Sequence, residues 1–183
     1  GVMKGADWME QQALKASAVG SKLNTFKNKQ LNIWTDTHEN WIDSELWESM
    51  GCDPAELMES CLGQSCHGGL DLAKVTDLSA LTLAFPPTES EGLKSKWRKL
   101  TWHWCPKDRA VTRTEAARVP YLQWAKEGRI KLTEGNATDF VQVRADILDL
   151  AGKFVIESIA YDRFLSGETV QQLVDEGLNM IEH

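Results

Sequence analysis

Two aspartates draw attention because each meets or ends an apolar run. Asp71 lies in Gly68-Gly69-Leu70-Asp71-Leu72, ahead of a short polar turn and the apolar run Leu81-Thr82-Leu83-Ala84-Phe85. Asp162 follows Phe154-Val155-Ile156-Glu157-Ser158-Ile159-Ala160-Tyr161. Both runs read as strands, and a strand holds a carboxylate on a rigid support. Two such carboxylates, far apart in sequence, are a pair that can share divalent cations through hard oxygen ligands. An isolated ionised carboxylate inside a sheet is costly, so Asp71 must be metal-bound, paired or turned to solvent. Other roles stay open at this point. Asp71 can be a solvated edge residue bonded to its turn. Asp162 stands at the carboxyl end of a strand, where α/β sheets build sites, but it can equally serve a turn or cap a helix. Asp77 reads first as a turn aspartate bonded to nearby backbone, with an auxiliary place at a metal as the alternative. Lys74, Arg109, Arg113 and Arg118 are either phosphate contacts or solvated cations.

Several other chemistries have no support. The sequence contains no G-x-x-x-x-G-K-[ST], no G-x-G-x-x-G and no G-x-S-x-G. Cys61, Cys66, His67 and Cys105 lack the paired C-x-x-C spacing of structural zinc. A Cys66–His67 nucleophile pair is unfavourable because sequence neighbours rarely reach productive geometry. Without a signal-peptide core near the amino terminus, the four cysteines are expected as reduced thiols in a cytoplasmic protein. No apolar run is long enough to span a bilayer. The net charge of −7 argues against a surface that grips nucleic acid everywhere by neutralising phosphates. It leaves room for a local basic patch, or for an acidic site that reaches phosphate through cations. Trp97, Trp102 and Trp104 crowd one strand-like segment, where packing is the simpler reading and base stacking the alternative.

The elements around these residues fall into two stretches. Residues 1–66 read as a helical arm or linker. Residues 7–16 are rich in helix formers, Ile42, Leu46 and Met50 make an apolar stripe, and Asp53-Pro54 looks like a capped helix start. Residues 67–183 carry the strands. After the two already named, Trp97 to Cys105 alternates and stops at Pro106, so the first three strands suit an antiparallel meander. Residues 114–126 are helical in character but contain Pro120, which should start or kink a helix there, and Gly128 closes them. Residues 130–133 are a short extended piece. Residues 138–151 form a clear helix, with Thr138 as the cap and Val143, Ile147 and Leu150 as the buried stripe. A strand from Val155, a helix from Gly167 and a short strand within 178–181 complete the order. Three antiparallel strands followed by alternating helices and strands make an α/β mixed sheet, and that is the order of the ribonuclease H-like fold.

With the elements in place, a family likeness emerges. The Gly68-Gly69-Leu70-Asp71-Leu72 run with Thr76-Asp77-Leu78-Ser79-Ala80-Leu81 resembles the opening of the nuclease domain of tailed-phage terminase large subunits. Residues 29–34 and Trp41-Ile42 resemble the family's linker from its ATPase domain. Val119-Pro120-Tyr121-Leu122-Gln123-Trp124 resembles its proline–tyrosine–tryptophan helix, and Ile159-Ala160-Tyr161-Asp162 the strand bearing its second acidic residue. The resemblance spans residues 25–183. It implies a ribonuclease H-like, metal-dependent endonuclease that cuts concatemeric viral DNA during packaging. Asp71 and Asp162 match the catalytic, metal-binding carboxylates of a two-metal phosphodiester hydrolysis, with Mg2+ or Mn2+ expected and the ions about 3.5–4 Å apart. Lys74, Arg109 and Arg163 are the cations assigned to DNA. The implied partners are double-stranded DNA, the terminase ATPase domain, the small terminase subunit and the procapsid portal, in the host cytoplasm and without membrane. The family's third acidic residue comes later than His183, so the expectation is an excised nuclease domain that binds metal weakly and cuts poorly. The competing expectations are a non-catalytic DNA-binding or docking module, and another ribonuclease H-like enzyme such as a resolvase or transposase.

Overall fold

The computed structural model describes residues 5–18, 20–33, 42, 44–75, 77–89, 92–117, 119–163 and 167–183. Trp34, Trp41, Thr76 and Arg118 entered the sequence reading and lie outside the described residues. The chain divides into two compact units, Gly1–Cys52 and Asp53–His183.

The first unit carries helices α1 (Ala6–Ser17), α2 (Gly20–Leu31) and α3 (Ser44–Ser49) among its described residues. The expected helix over 7–16 is α1. Periodicity does not mark α2, because lysines and amides interrupt any apolar stripe, and residues 29–34 read as linker. It forms through packing along α1, which outweighs a weak local signal. The stripe expected in α3 does not become buried: Leu46 is 57% exposed and Met50 58%. Ala16 is the one buried apolar residue described in this unit.

The second unit is built on a six-stranded sheet of order β4-β3-β2-β1-β5-β6. The strands are β1 (Ser65–Asp71), β2 (Ser79–Phe85), β3 (Arg98–Pro106), β4 (Lys131–Thr133), β5 (Val155–Tyr161) and β6 (Met180–Glu182). Helices α4 (Pro54–Cys61), α5 (Lys107–Ala117), α6 (Tyr121–Lys126), α7 (Phe140–Ala151) and α8 (Gly167–Asp175) accompany them. The expected meander is present, with β2 antiparallel to both β1 and β3. The pairs β3–β4, β1–β5 and β5–β6 are parallel. Every strand except β2 therefore runs the same way, and Asp71, Pro106, Thr133, Tyr161 and Glu182 end their strands at one edge of the sheet. This is the mixed α/β sheet that the order of elements predicts.

Alternation along the strands sorts side chains between the two faces. Cys66 and Leu70 of β1 point inward with Leu81, Leu83 and Phe85 of β2, Trp104 of β3 and Ile159 of β5. Against them pack Cys61 of α4, Val143, Ile147 and Leu150 of α7, and Leu173 of α8. Gly68 belongs to this crowded surface, since a Cβ there would lie 3.0 Å from Ile159 Cγ1 and 3.2 Å from Leu83 Cδ2. Strand β1 must therefore carry a glycine where its neighbours approach. Cys105 follows Trp104 and so points to the opposite face, where Ala110, Tyr121 and Ile130 form a smaller core.

Helix α4 belongs to this second unit, with Leu57 and Met58 packed on the main core. The compact division falls between Cys52 and Asp53, ahead of the 66/67 boundary read from sequence. Asp53 caps α4 as its Asp-Pro signature implies, accepting from Ala55 N at 2.9 Å and Glu56 N at 3.0 Å. Buried Arg98 staples the other end: its Nη1 donates to Ser60 O at 2.9 Å and its Nη2 to Pro86 O at 3.2 Å.

Three local readings change. Helix α5 begins at Lys107, directly after β3, and not at Thr114, while a helix does start at Pro120, as expected, with α6 following it. Proline lacks the amide that a continuous helix needs, so the chain turns there. Strand β3 runs on through Pro106, which pairs with Thr133 of β4; the sheet margin tolerates the missing donor. The cap of α7 is Asp139, not Thr138. Asp139 Oδ1 accepts from Val141 N at 2.9 Å and Gln142 N at 3.2 Å, while the Thr138 hydroxyl donates to Ala73 O at 2.7 Å.

Candidate active site

The two aspartates stand at the ends of neighbouring strands. Asp71 is the last residue of β1, and Asp162 comes directly after β5. These strands are parallel neighbours, with Leu70 opposite Tyr161. That is the last registered pair, and Asp71 and Asp162 are the residues that come next after its two members, at the carboxyl edge of the sheet. Adjacent strands run about 4.8 Å apart. Both residues are exposed. Leu70 and Leu72 on either side of Asp71 are buried, at 5% and 7% exposure, so alternation turns the carboxylate away from the main core. The local sequence enforces this: Leu70 and Leu72 are drawn into the main core and leave the aspartate between them exposed.

The loop after Asp71 is tied down from three sides. Ser79, fully buried at the start of β2, accepts from Ala73 N at 3.0 Å and donates to Ala73 O at 3.1 Å. Thr138 donates its hydroxyl to the same carbonyl and its amide to Lys74 O at 2.8 Å. Asp77 pairs with Arg113, whose Nη2 stands 3.4 Å from Asp77 Oδ1. Arg113 also donates to the Tyr121 hydroxyl at 3.1 Å, and that bond, with help from Asp77, raises the guanidinium pKa above its already high ordinary value.

The predicted cations are distributed along the strand-end edge. Lys74 is exposed in the loop after Asp71. Arg109 is half-buried on α5, and its Nε is enclosed with no hydrogen-bond partner among the described residues. Arg163 follows Asp162 and lies 3.6 Å from Glu182 Oε1 in an exposed ion pair, which is worth little in water. Among the described residues, no three His, Cys, Asp or Glu side chains come together as a metal site.

The cysteine chemistries are absent for geometric reasons. All four cysteines are free. Cys66 faces the main core, while His67 faces the other side and bonds Ser158 Oγ through Nδ1 at 2.9 Å. Cys105 belongs to the second core. Burial, with smaller contributions from Cys61 and Glu157, pushes the Cys66 thiol up to about 11, so it is not a thiolate at neutral pH. The tryptophan cluster splits: Trp104 is buried and donates to Asp146 Oδ2 at 2.7 Å, Trp102 packs against Phe154, and Trp97 is 68% exposed. A groove of about 790 Å³, lined in part by Met58, Leu100, Trp102, Lys131 and Asp149, includes neither Asp71 nor Asp162 in its walls.

Sequence reasoning missed the roles of Ser79 and Thr138. The Thr138-Asp139 pair before an apolar helix offers two equally good caps, and only the fold leaves one of them for Ala73. Ser79 reads as an ordinary residue at the start of a strand.

The chain is similar to known proteins in sequence and in fold. The family described as "Terminase large subunit, endonuclease domain" matches residues 1–183. The chain is 32% identical over 164 residues to the terminase large subunit of Enterobacteria phage HK97, covering 90% of this chain and 31% of that protein. The crystal structure of the HK97 bacteriophage large terminase matches with a TM-score of 0.62 at 30% identity, over 100% of this chain and 36% of the other. The chain thus spans about a third of the length of these relatives.

Proposed function

This chain belongs to the terminase large subunit endonuclease-domain family, and we propose that Asp71 and Asp162 form the cation-dependent catalytic centre with which it cuts concatemeric double-stranded DNA. The observation that carries this reading is the parallel pairing of β1 with β5, whose last registered pair, Leu70 with Tyr161, comes directly before the two aspartates. Their chemistry fits the cation: both are exposed carboxylate oxygens, the donors that Mg2+ and Mn2+ favour. Bound between them, the ions would activate water and stabilise charge at the scissile phosphate.

The remaining residues act on the substrate and on the site's own carboxylates. Lys74 and Arg163 flank the pair in sequence, and Arg109 projects from the helix after β3; all three are assigned to phosphate contacts. Arg113 holds Asp77 at 3.4 Å, so Asp77 serves first to fasten the loop and only indirectly the metal. The chain's net charge of −7 leaves phosphate binding to local groups, Lys74, Arg109 and Arg163, and to metal held by the carboxylates. In this reading the partners are the packaging motor's ATPase domain, the small terminase subunit and the portal, in the host cytoplasm. With two described carboxylates the affinity for metal is expected to be weak.

Calorimetric titration with Mn2+ tests the assignment, read together with nicking of supercoiled plasmid. Asp71→Asn and Asp162→Asn should each abolish both signals while changing folding stability by no more than about 0.5 kcal/mol, because both residues are exposed. Manganese binding that survives both substitutions would sink the assignment. A second reading, a DNA-docking module without catalysis, draws on the lack of a three-ligand cluster among the described residues. It expects DNA binding that is indifferent to Asp71→Asn.

A further inference from the structure

We infer that Thr138 and Ser79 are positioning residues for Asp71, closing a buried clasp around Ala73 that fixes the end of β1 for cation binding. The inference rests on the reading of Asp71 as a metal ligand and adds residues that do not touch the metal. Both lone pairs of the Ala73 carbonyl are engaged, by Ser79 Oγ at 3.1 Å and Thr138 Oγ1 at 2.7 Å. The Ala73 amide donates to Ser79 Oγ at 3.0 Å, so one serine hydroxyl spans both polar groups of that residue. The Thr138 amide adds a bond to Lys74 O at 2.8 Å.

The clasp joins three elements at the point where the sheet stops. Strand β1 ends at Asp71, and among the described residues its ladder pairing goes no further. Leu72 is buried next to it, and then Ala73 is held by the first residue of β2 and by the residue before the cap of α7. Thr138 is 7% exposed and Ser79 is fully buried, so water does not compete for these bonds. Groups that fix a ligand's orientation commonly set how well it binds metal; here the fixing acts through the backbone two residues past Asp71. Without it, Asp71 would sit at a frayed strand end and sample many orientations. A cation would then have to order the carboxylate at the cost of affinity.

The test uses the full 183-residue chain and two readouts: Mn2+ affinity by calorimetry and amide hydrogen exchange of residues 71–74. Thr138→Val keeps the side-chain shape and removes one donor, and Ser79 still satisfies the Ala73 carbonyl. Affinity for Mn2+ should fall roughly tenfold, and exchange at 71–74 should quicken. Thr138→Ser should restore both. Ile147→Val, a core change on the same helix, should lower stability and leave affinity alone, which separates positioning from general loosening. If Mn2+ binds equally well with and without Asp71→Asn, the metal reading itself fails. If binding needs Asp71 yet Thr138→Val binds as wild type, the clasp fails alone. A wild-type chain that binds no Mn2+ overturns both.

Discussion

At the scale of single residues, orientation decides which titratable groups can act. Asp71 and Cys66 lie on the same strand, five residues apart in number and on opposite faces. Alternation gives the aspartate solvent and the cysteine a dry core. The consequence for Cys66 is measurable. Its thiol is held near 11 in the folded chain against an ordinary value of 9.0. Between those values the unfolded chain has released the proton and the folded chain has kept it. Stability from this group is complete below pH 9, and it declines as pH rises towards 11. Urea midpoints measured from about pH 8 to 11 should fall, and Cys66→Ala should flatten the fall. In native protein at neutral pH, a maleimide should label exposed Cys52 and spare Cys66.

Among the elements, β1 carries the most constraint. It has an antiparallel neighbour on one side and a parallel one on the other, and it ends in a proposed ligand. Gly68 lets Ile159 and Leu83 close over it. Gly68→Ala should cost about 1–3 kcal/mol through overpacking and should weaken Mn2+ binding by displacing the strand that ends at Asp71. Gly69 faces the other way, and a Cβ added there would meet nothing within 4 Å, so Gly69→Ala should leave both nearly unchanged. Equal loss from the two substitutions, read by urea unfolding, would contradict this account of the strand. Helix α7 matters for a different reason: its cap frees Thr138 for Ala73, so one short segment both starts a helix and secures the neighbouring loop.

The whole molecule divides unevenly. The buried apolar residues described in Asp53–His183 form a main core and a smaller one, whereas Gly1–Cys52 contributes Ala16. Hydrophobic burial supplies most of the driving force for folding, so residues 53–183 should fold as a cooperative unit alone. That fragment should unfold in one transition and bind Mn2+ as the full chain does. Removing residues 53–66 as well should be far more damaging, because it takes away α4, the Cys61 contact with the core and the carbonyl that anchors Arg98.

What the chain states by itself is local and periodic. Apolar alternation marks β1, β2, β3 and β5; the 143, 147, 150 spacing marks α7; Asp53-Pro54 marks the start of α4. Those signals suffice for a mixed α/β sheet, and the motifs around Asp71, Tyr121 and Asp162 suffice for the family resemblance. The tertiary structure decided the rest. It began α5 at Lys107, packed α4 on the main core instead of leaving it in an arm, and formed the polar helix α2 by packing along α1. It also gave Asp77 to Arg113, and Thr138 to Ala73. Each of these depends on a partner outside the local pattern, and neither composition nor periodicity encodes which of several equivalent hydrogen-bond partners or packing surfaces will be nearest once the sheet has closed.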